Sequence, residues 1–317
     1  MTRHVVGLGL FVAAGIAFPF LFPSYQALAI SLLLFAGWAT AWDILGGWAG
    51  QVSLGHAAFV GIGAYAVGLG ATNWGIAPWW TLLVGMAVAA LLALAWGALT
   101  FGLRGSYFVL STIAIAEILR LVAINWRSFT GGAQGIFIFS LPEPFGLDLF
   151  SRRTEYYLAL IYVALLIGLV IYLSKGKFGY RMRAVREDEE SAMAAGINPR
   201  NVKLAAFALS GALTAAGGSI YAIFLSYLEP HDIFFLPLSV RIALIAIIGG
   251  RGTIWGPLAG AALITISAEV FRTAFAQANL LIFGVLIVVV VLFLPKGIIG
   301  ELTDRLKRRR YARGAQG

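Results

Sequence analysis

Apolar residues in this chain are gathered into long runs instead of alternating with polar ones. The runs fall at about 5–22, 27–45, 57–72, 78–101, 106–125, 155–174, 204–225, 238–250, 257–275 and 279–294. Most approach the roughly 20 residues that a helix needs to cross the hydrocarbon core, and they lack the two-residue alternation of barrel strands. The pattern predicts an all-α polytopic membrane protein of about ten transmembrane or re-entrant helices. The runs at 57–72 and 238–250 are short or glycine-rich, which makes them candidates for half-helices or re-entrant segments. The first run reads as an uncleaved span. Ala27-Leu28-Ala29 resembles a signal cleavage site, but Arg3 is a thin basic region and the run is longer than a secretory core. The organisation expected is one transmembrane domain over 1–303 and a basic tail over 304–317.

Lysine and arginine orient these spans, because cytoplasmic loops carry them in excess. Lys175, Lys177, Arg181, Arg183, Arg186, Arg200 and Lys203 lie in the loop 175–203. The tail from Lys296 adds Arg305, Lys307, Arg308, Arg309, Arg310 and Arg313. Four runs separate the two clusters and six precede the first, so both clusters and both termini are expected on the cytoplasmic side. Arg104 and Arg251 fall on that side too. The segment 126–154, with Gly131, Gly132, Gly135, Pro142 and Pro144, becomes the longest external loop.

Composition narrows the class further. Of 317 residues, 60% are hydrophobic and 12% charged, against roughly a quarter charged in soluble domains. The outer solvent of much of the chain is therefore lipid. The net charge of +9 sits beside apolar runs, which fits anionic headgroups and not nucleic acid. With no cysteine, disulfides, thiolate metal sites and a cysteine nucleophile are excluded. His4, His56 and His231 are far apart, and no metal-ligand spacing, paired aspartates or Ser/His couple points to an intramembrane enzyme. Gly176-Lys177 lacks the preceding glycine and following hydroxyl of a phosphate-binding loop, so any ATP is bound elsewhere and no cofactor is expected in this chain.

The stretch 181–199 reads as a short surface helix. Acidic residues 187–190 stand at its N-terminal side, where the helix dipole favours them, and Ala192 to Ala195 have good helix propensity. Gly196 is placed to end the helix in a left-handed conformation, and Pro199 prevents its resumption. Such a compact helix can sit in a groove of a partner protein; a solvated, charge-mixed loop helix is the plainer alternative. Glu190-Ser191-Ala192 followed by Gly196 resembles the EAA…G coupling motif of importer permeases driven by ATP-binding-cassette (ABC) subunits. The distal Ile-x-Leu-Pro of that motif is replaced here by Ala206-Phe207-Ala208-Leu209.

Further blocks extend the likeness. Residues 50–65 (GQVSLGHAAFVGIGAY), 183–189 (RAVREDE), Gly196-Ile197-Asn198, 203–207 (KLAAF), 248–257 (IGGRGTIWGP) and 294–298 (LPKGI) resemble, in order, the blocks of branched-chain amino acid ABC permeases of the LivM type. The resemblance covers roughly residues 30–300. It implies a permease half with a LivH-like second permease subunit, two cytoplasmic ATPase subunits that use the ATP, an external solute-binding protein, and a bacterial-type inner membrane. It also implies Glu190, Ala192 and Gly196 as the ATPase-coupling residues. The substrate stays open among branched-chain or other amino acids, urea and small organic acids.

Several residues are candidates for the translocation path or its gate. Gly46, Gly47, Gly50 and Gly55 interrupt an apolar stretch that also holds Gln51, Ser53 and His56. Irregular backbone at membrane depth survives where it is buried in protein or lines a water-filled cavity; the alternative is a tight turn with small residues for close packing. For His56 a satisfied structural histidine competes with a gating role. Glu117–Arg120 and Glu269–Arg272 each place opposite charges three residues apart on one helix face, where they can pair. Both belong to the outer half of the membrane, as an external charge ring or as neutralised packing pairs. Ser111, Thr112, Thr265 and Ser267 in the same helices have carbonyls within reach. Ser239 is a further candidate for solute contact. The run Ser210–Gly218 is a small-residue packing face, and Trp38, Trp42, Trp79, Trp80 and Trp126 are expected mostly as interface anchors. A proton- or ion-coupled secondary transporter, using Asp43, Glu117 and Glu269 as intramembrane carboxylates, is the rival function.

Overall fold

The computed structural model describes residues 2–102, 106–142, 148–274, 284 and 297–299. Arg104, Pro144, the run 279–294 apart from Gly284, and the basic tail lie outside the described residues. The helices are α1 Thr2–Leu21, α2 Gln26–Asp43, α3 His56–Trp74, α4 Pro78–Thr100, α5 Ser106–Asn125 and α6 Arg127–Thr130. They continue as α7 Arg152–Lys175, α8 Lys177–Glu187, α9 Glu189–Ala194, α10 Pro199–Leu225, α11 Pro230–Ile233, α12 Leu236–Gly250 and α13 Gly256–Ala274. Two short antiparallel strands, β1 Ile136–Phe137 and β2 Tyr227–Leu228, tie the 126–154 segment to the far end of α10.

Among the described residues, seven segments are long and apolar enough to cross a membrane: His4–Leu21, Pro23–Trp48, Pro78–Thr100, Ser106–Asn125, Arg152–Lys175, Pro199–Leu225 and Pro230–Gly250. The fold is therefore all-α and polytopic. Helices α3 and α13 occupy two more of the expected runs but are not among those seven. The glycine-rich run at 57–72 is a continuous helix of 19 residues, whereas α12 has only 15. At 1.5 Å per residue α12 spans about 22 Å, short of a hydrocarbon core of roughly 30 Å.

Helix α2 is the hub, packed by α7, α10, α12 and α13, while α10 lies against α3 and α4. Trp38 and Trp42 of α2 are fully buried in this core. They are packing residues and not the interface anchors that their positions suggested, whereas Trp80 and Trp126 are exposed. Burial of an indole is favoured here because α2 is surrounded by four partners, a fact that hydropathy along the chain does not carry. Close contact between α3 and α10 depends on small residues, as the run 210–218 predicted. A Cβ on Gly63 would overlap the Ala215 carbonyl oxygen, and one on Gly218 would overlap that of Val60. With the backbones touching, Ser219 Oγ donates to the Gly63 carbonyl at 3.0 Å. Helices α1 and α4 bury 11% and 22% of their most apolar windows, so they stand at the periphery of this chain.

Candidate functional site

The loop between α7 and α10 folds differently from the single helix expected. Asp188 adopts extended backbone (φ −161°, ψ 120°) and splits the segment into α8 and α9. Its carboxylate accepts from the Ser191 amide at 2.6 Å, satisfying one of the free amides at the start of α9. This bond, with the Ser191 side chain, holds the Asp188 carboxyl below the usual carboxylate range. Asp and Glu are thus divided between the end of α8 and the first turn of α9. Gly196 does terminate α9 in the left-handed region (φ +79°), with Gly196 N donating to the Met193 carbonyl and Ile197 N to that of Ala192. Pro199, expected to prevent a restart, instead occupies the first turn of α10, where its missing amide costs nothing. Of the three coupling residues, Glu190 and Gly196 are exposed, and Ala192 is buried in a core cluster that also contains Val185, Val202 and Ala206. Ala192 therefore anchors α9, and Glu190 and Gly196 present it.

This helix pair is fastened to the break in the second span. After α2 the chain makes a π-helical turn, Ile44–Trp48, then runs without regular structure to α3. Arg186 of α8 donates to the Gly47 carbonyl at 3.0 Å, and Arg183 stacks over Trp48 (5.6 Å) and Tyr180 (4.6 Å) while donating to Ser174 O at 2.8 Å. Beneath them, both oxygens of buried Asp43 accept from the Gly252 amide, at 2.9 and 3.0 Å. The α12–α13 turn, the π-turn and α8 thus meet around a polar cavity of about 500 Å³ lined by Gly46, Gly47, Gly50, Arg186, Glu187 and Arg251. Lys203, nearly buried, pairs with Glu189, and Arg200 donates to Ala98 O at 2.9 Å. Bonds therefore join α8 to the π-turn, α9 to α10, α10 to α4, and α2 to the α12–α13 turn, in addition to apolar contact.

The irregular segment 49–55 is held by side chains from two other helices, α2 and α5. Trp42 Nε1 donates to Ser53 O at 2.7 Å, and Leu54 N donates to Thr112 Oγ1 at 3.0 Å. Ser53 Oγ accepts from Gly55 N at 3.3 Å, and a Cβ on Gly55 would strike the Thr112 carbonyl. His56 is fully buried, with Nε2 at 2.8 Å from Ser210 Oγ. Ser210 spends its single proton on the Ala41 carbonyl at 2.7 Å, so His56 Nε2 is the donor of that pair and carries the ring proton. Nδ1 is left buried with no partner among the described residues. Ser239, also fully buried, accepts from the Ala57 amide at 2.8 Å and so caps the start of α3. The structure gathers Ser53, Gly55, His56 and Ser239 into one buried junction of α2, α3, α10 and α12. Gln51 stands half-buried beside it.

The two charge pairs form as the spacing predicted, in separate places. Arg120 grips Glu117 with two donors, the Nε bond being 2.8 Å, and its Nη1 lies 3.1 Å from His231 Nδ1. Arg272 grips Glu269 at 2.6 and 3.0 Å. All three carboxylates of the rival transporter reading are therefore occupied: Asp43 by an amide, Glu117 and Glu269 by guanidinium groups. Ser111 and Thr112 donate to carbonyls one turn back (2.7 and 2.8 Å), but Thr265 Oγ1 is buried without a partner among the described residues.

A second polar cavity, about 510 Å³, opens near the end of the bundle opposite α8 and α9, between α2, α10, α12 and α13. Glu269, Arg272, Thr265 and Arg241 line it. Arg241 was missed by sequence reasoning. It has no acidic residue three or four positions away, so no pairing pattern flagged it, and a lone arginine inside an apolar run was the available signal.

These features define a polytopic helical membrane protein that carries a docked, exposed helix pair at one end and cavities with polar residues within its helix layer, as a permease does. The family model described as branched-chain amino acid transport system / permease component matches residues 25–291, and the chain belongs to this family. It is 28% identical over 294 residues, 85% of this chain and 68% of the relative, to the high-affinity branched-chain amino acid transport system permease protein LivM of Escherichia coli (strain K12). It is 28% identical over 299 residues, 86% of this chain and 70% of the relative, to LivM of Salmonella typhimurium. It is also 29% identical over 164 residues, 49% of this chain and 48% of the relative, to the ribose import permease protein RbsC of Bacillus subtilis. No solved structure matches the chain. The chain is a permease subunit of an ABC importer.

Proposed function

We propose that this subunit moves branched-chain or related amino acids inward, beside a LivH-like second permease subunit, two ATPase subunits that bind and hydrolyse the ATP, and an external solute-binding protein. The observation that carries the reading is the α8–α9 pair. Its end, Glu187–Gly196, is exposed apart from Ala192, while its base is bonded to the break in the second span through Arg186 and Gly47. A groove in an ATPase that moves this end moves the helices around it. The relatives named for branched-chain amino acid transport support the substrate class. We place both termini and α8–α9 in the cytoplasm, with ten spans in a bacterial-type inner membrane. In this arrangement the junction of Gln51, Ser53, Gly55, His56 and Ser239 lies toward the inner side, and the Glu117–Arg120 and Glu269–Arg272 pairs lie toward the outer side.

Reconstitution into proteoliposomes tests the reading. Uptake should require ATP and the ATPase subunits; uptake that persists without them and follows a proton or sodium gradient would refute it. Gly196→Pro cannot adopt φ +79° and removes the amide that bonds Met193, and Glu190→Arg reverses an exposed charge. Both variants should insert normally yet copurify less ATPase. Normal copurification and transport by both would remove α9 from the coupling role.

A further inference from the structure

Arg241 sits in α12 with its guanidinium 4.0 Å from the centre of the Phe35 ring. Among the described residues it makes no ion pair and no hydrogen bond, and its Nε is buried without a partner. A guanidinium without an anionic partner in an apolar helix is costly, which makes it a candidate for a functional role. Glu269 on the same cavity is bonded to Arg272 through both carboxylate oxygens, so that pair carries no net charge and makes no bond to Arg241 among the described residues. Among the described residues that line it, the cavity of about 510 Å³ thus carries one positive charge in excess. Thr265, buried and with an unpartnered hydroxyl, lines the same space. The remaining wall is apolar, with Leu34, Phe35, Trp38, Tyr221 and Phe224 among its residues. That volume lies in the range of small-ligand sites, which combine apolar walls with a few converging polar groups.

We propose that Arg241, with Thr265 in the same wall, forms a transient subsite for the carboxylate of the transported solute, whose apolar body lies along Phe35 and Tyr221. A guanidinium offers a planar fork of donors that fits a carboxylate with two parallel bonds. A neutral sugar or nucleoside would leave the charge buried and unpaired. The subsite therefore selects small carboxylates with an apolar body over the neutral solutes named for some relatives, such as ribose. It rests on the importer reading above and names the chemistry that reading leaves open.

The test uses the complete importer, with both permease subunits, the ATPases and its own binding protein, in proteoliposomes supplied with leucine or uridine. Wild type should accumulate leucine with ATP. Arg241→Gln should lower leucine uptake by about tenfold or more, the size expected for losing a charge-assisted pair, with subunit copurification and basal ATPase rate unchanged. Arg241→Lys should fall between the two, because it keeps the charge without the fork. If Arg241→Gln does not accumulate in the membrane, Arg241→Lys is read alone, and wild-type uptake by it overturns the subsite. Undiminished uptake by Arg241→Gln overturns it as well, and loss of the second permease subunit from that variant assigns Arg241 to an interface instead. ATP-dependent uptake of uridine with none of leucine refutes the carboxylate chemistry but leaves the importer intact. Absence of ATP-dependent uptake of either solute removes the branched-chain amino acid reading and the subsite together.

Discussion

Ser210 shows how one residue in a small-residue helix face can carry more than packing. Its hydroxyl bonds the Ala41 carbonyl and receives His56 Nε2–H, joining α2, α3 and α10 at a point 154 residues apart along the chain. Removing it strands a buried ring N–H, and a stranded donor costs about 1–3 kcal/mol. Ser210→Ala should therefore lower the melting temperature of the purified complex in detergent. In the wild-type protein, nitrogen NMR of the His56 ring should report Nε2 protonated and Nδ1 bare; the opposite tautomer would reverse the donor assignment. The run 210–218 was legible as a packing surface because small side chains announce themselves. The hydroxyl's partners were not, since both come from helices that only the fold brings near.

At the scale of elements, the split at Asp188 decides how the coupling segment works. The depressed carboxyl of Asp188 favours the folded cap while it is ionised. Its stabilisation is present above the ordinary carboxylate value of about 3.9 and is lost as pH falls through the lower folded value. Hydrogen exchange at Ser191 should thus show protection that holds from neutral pH to about pH 5 and declines only in stronger acid. Asp188→Ala should lose it throughout that range, whereas Asp188→Asn, which can still accept the amide bond, should retain most of it. Equal protection in all three proteins would remove the cap from the account. The sequence identified Gly196 as the end of this helix, because a glycine after alanines needs no tertiary information. It did not reveal the break at Asp188, since a carboxylate four residues from the end of an alanine-rich stretch is as compatible with a helix interior as with its start.

At the scale of the whole molecule, the α8–α9 end and the cavity beside Arg241 lie at opposite ends of α10, a helix of 27 residues and about 40 Å. The chain contains no cysteine, so single cysteines can be introduced on a clean background. Met193→Cys, exposed on α9, should react with membrane-impermeant reagents only from the cytoplasmic side, and Phe139→Cys, exposed beyond β1, only from the outside. Labelling of both from one face would overturn the topology and, with it, the place of the ATPases.

The sequence by itself determined that the chain is helical and polytopic, where most spans run, and that Glu117–Arg120 and Glu269–Arg272 pair. Each of these follows from local physics: the apolar length needed to cross lipid and the spacing of one helical turn. Tertiary structure alone decided that Trp38 and Trp42 are core residues, that Asp43 holds the Gly252 amide, that Ser239 caps α3, and that Arg241 faces a cavity with no ion pair of its own among the described residues. These depend on which helices meet α2 and at what register. That arrangement is set by close backbone approach and buried polar satisfaction between segments up to about two hundred residues apart, and no local window of the sequence contains it.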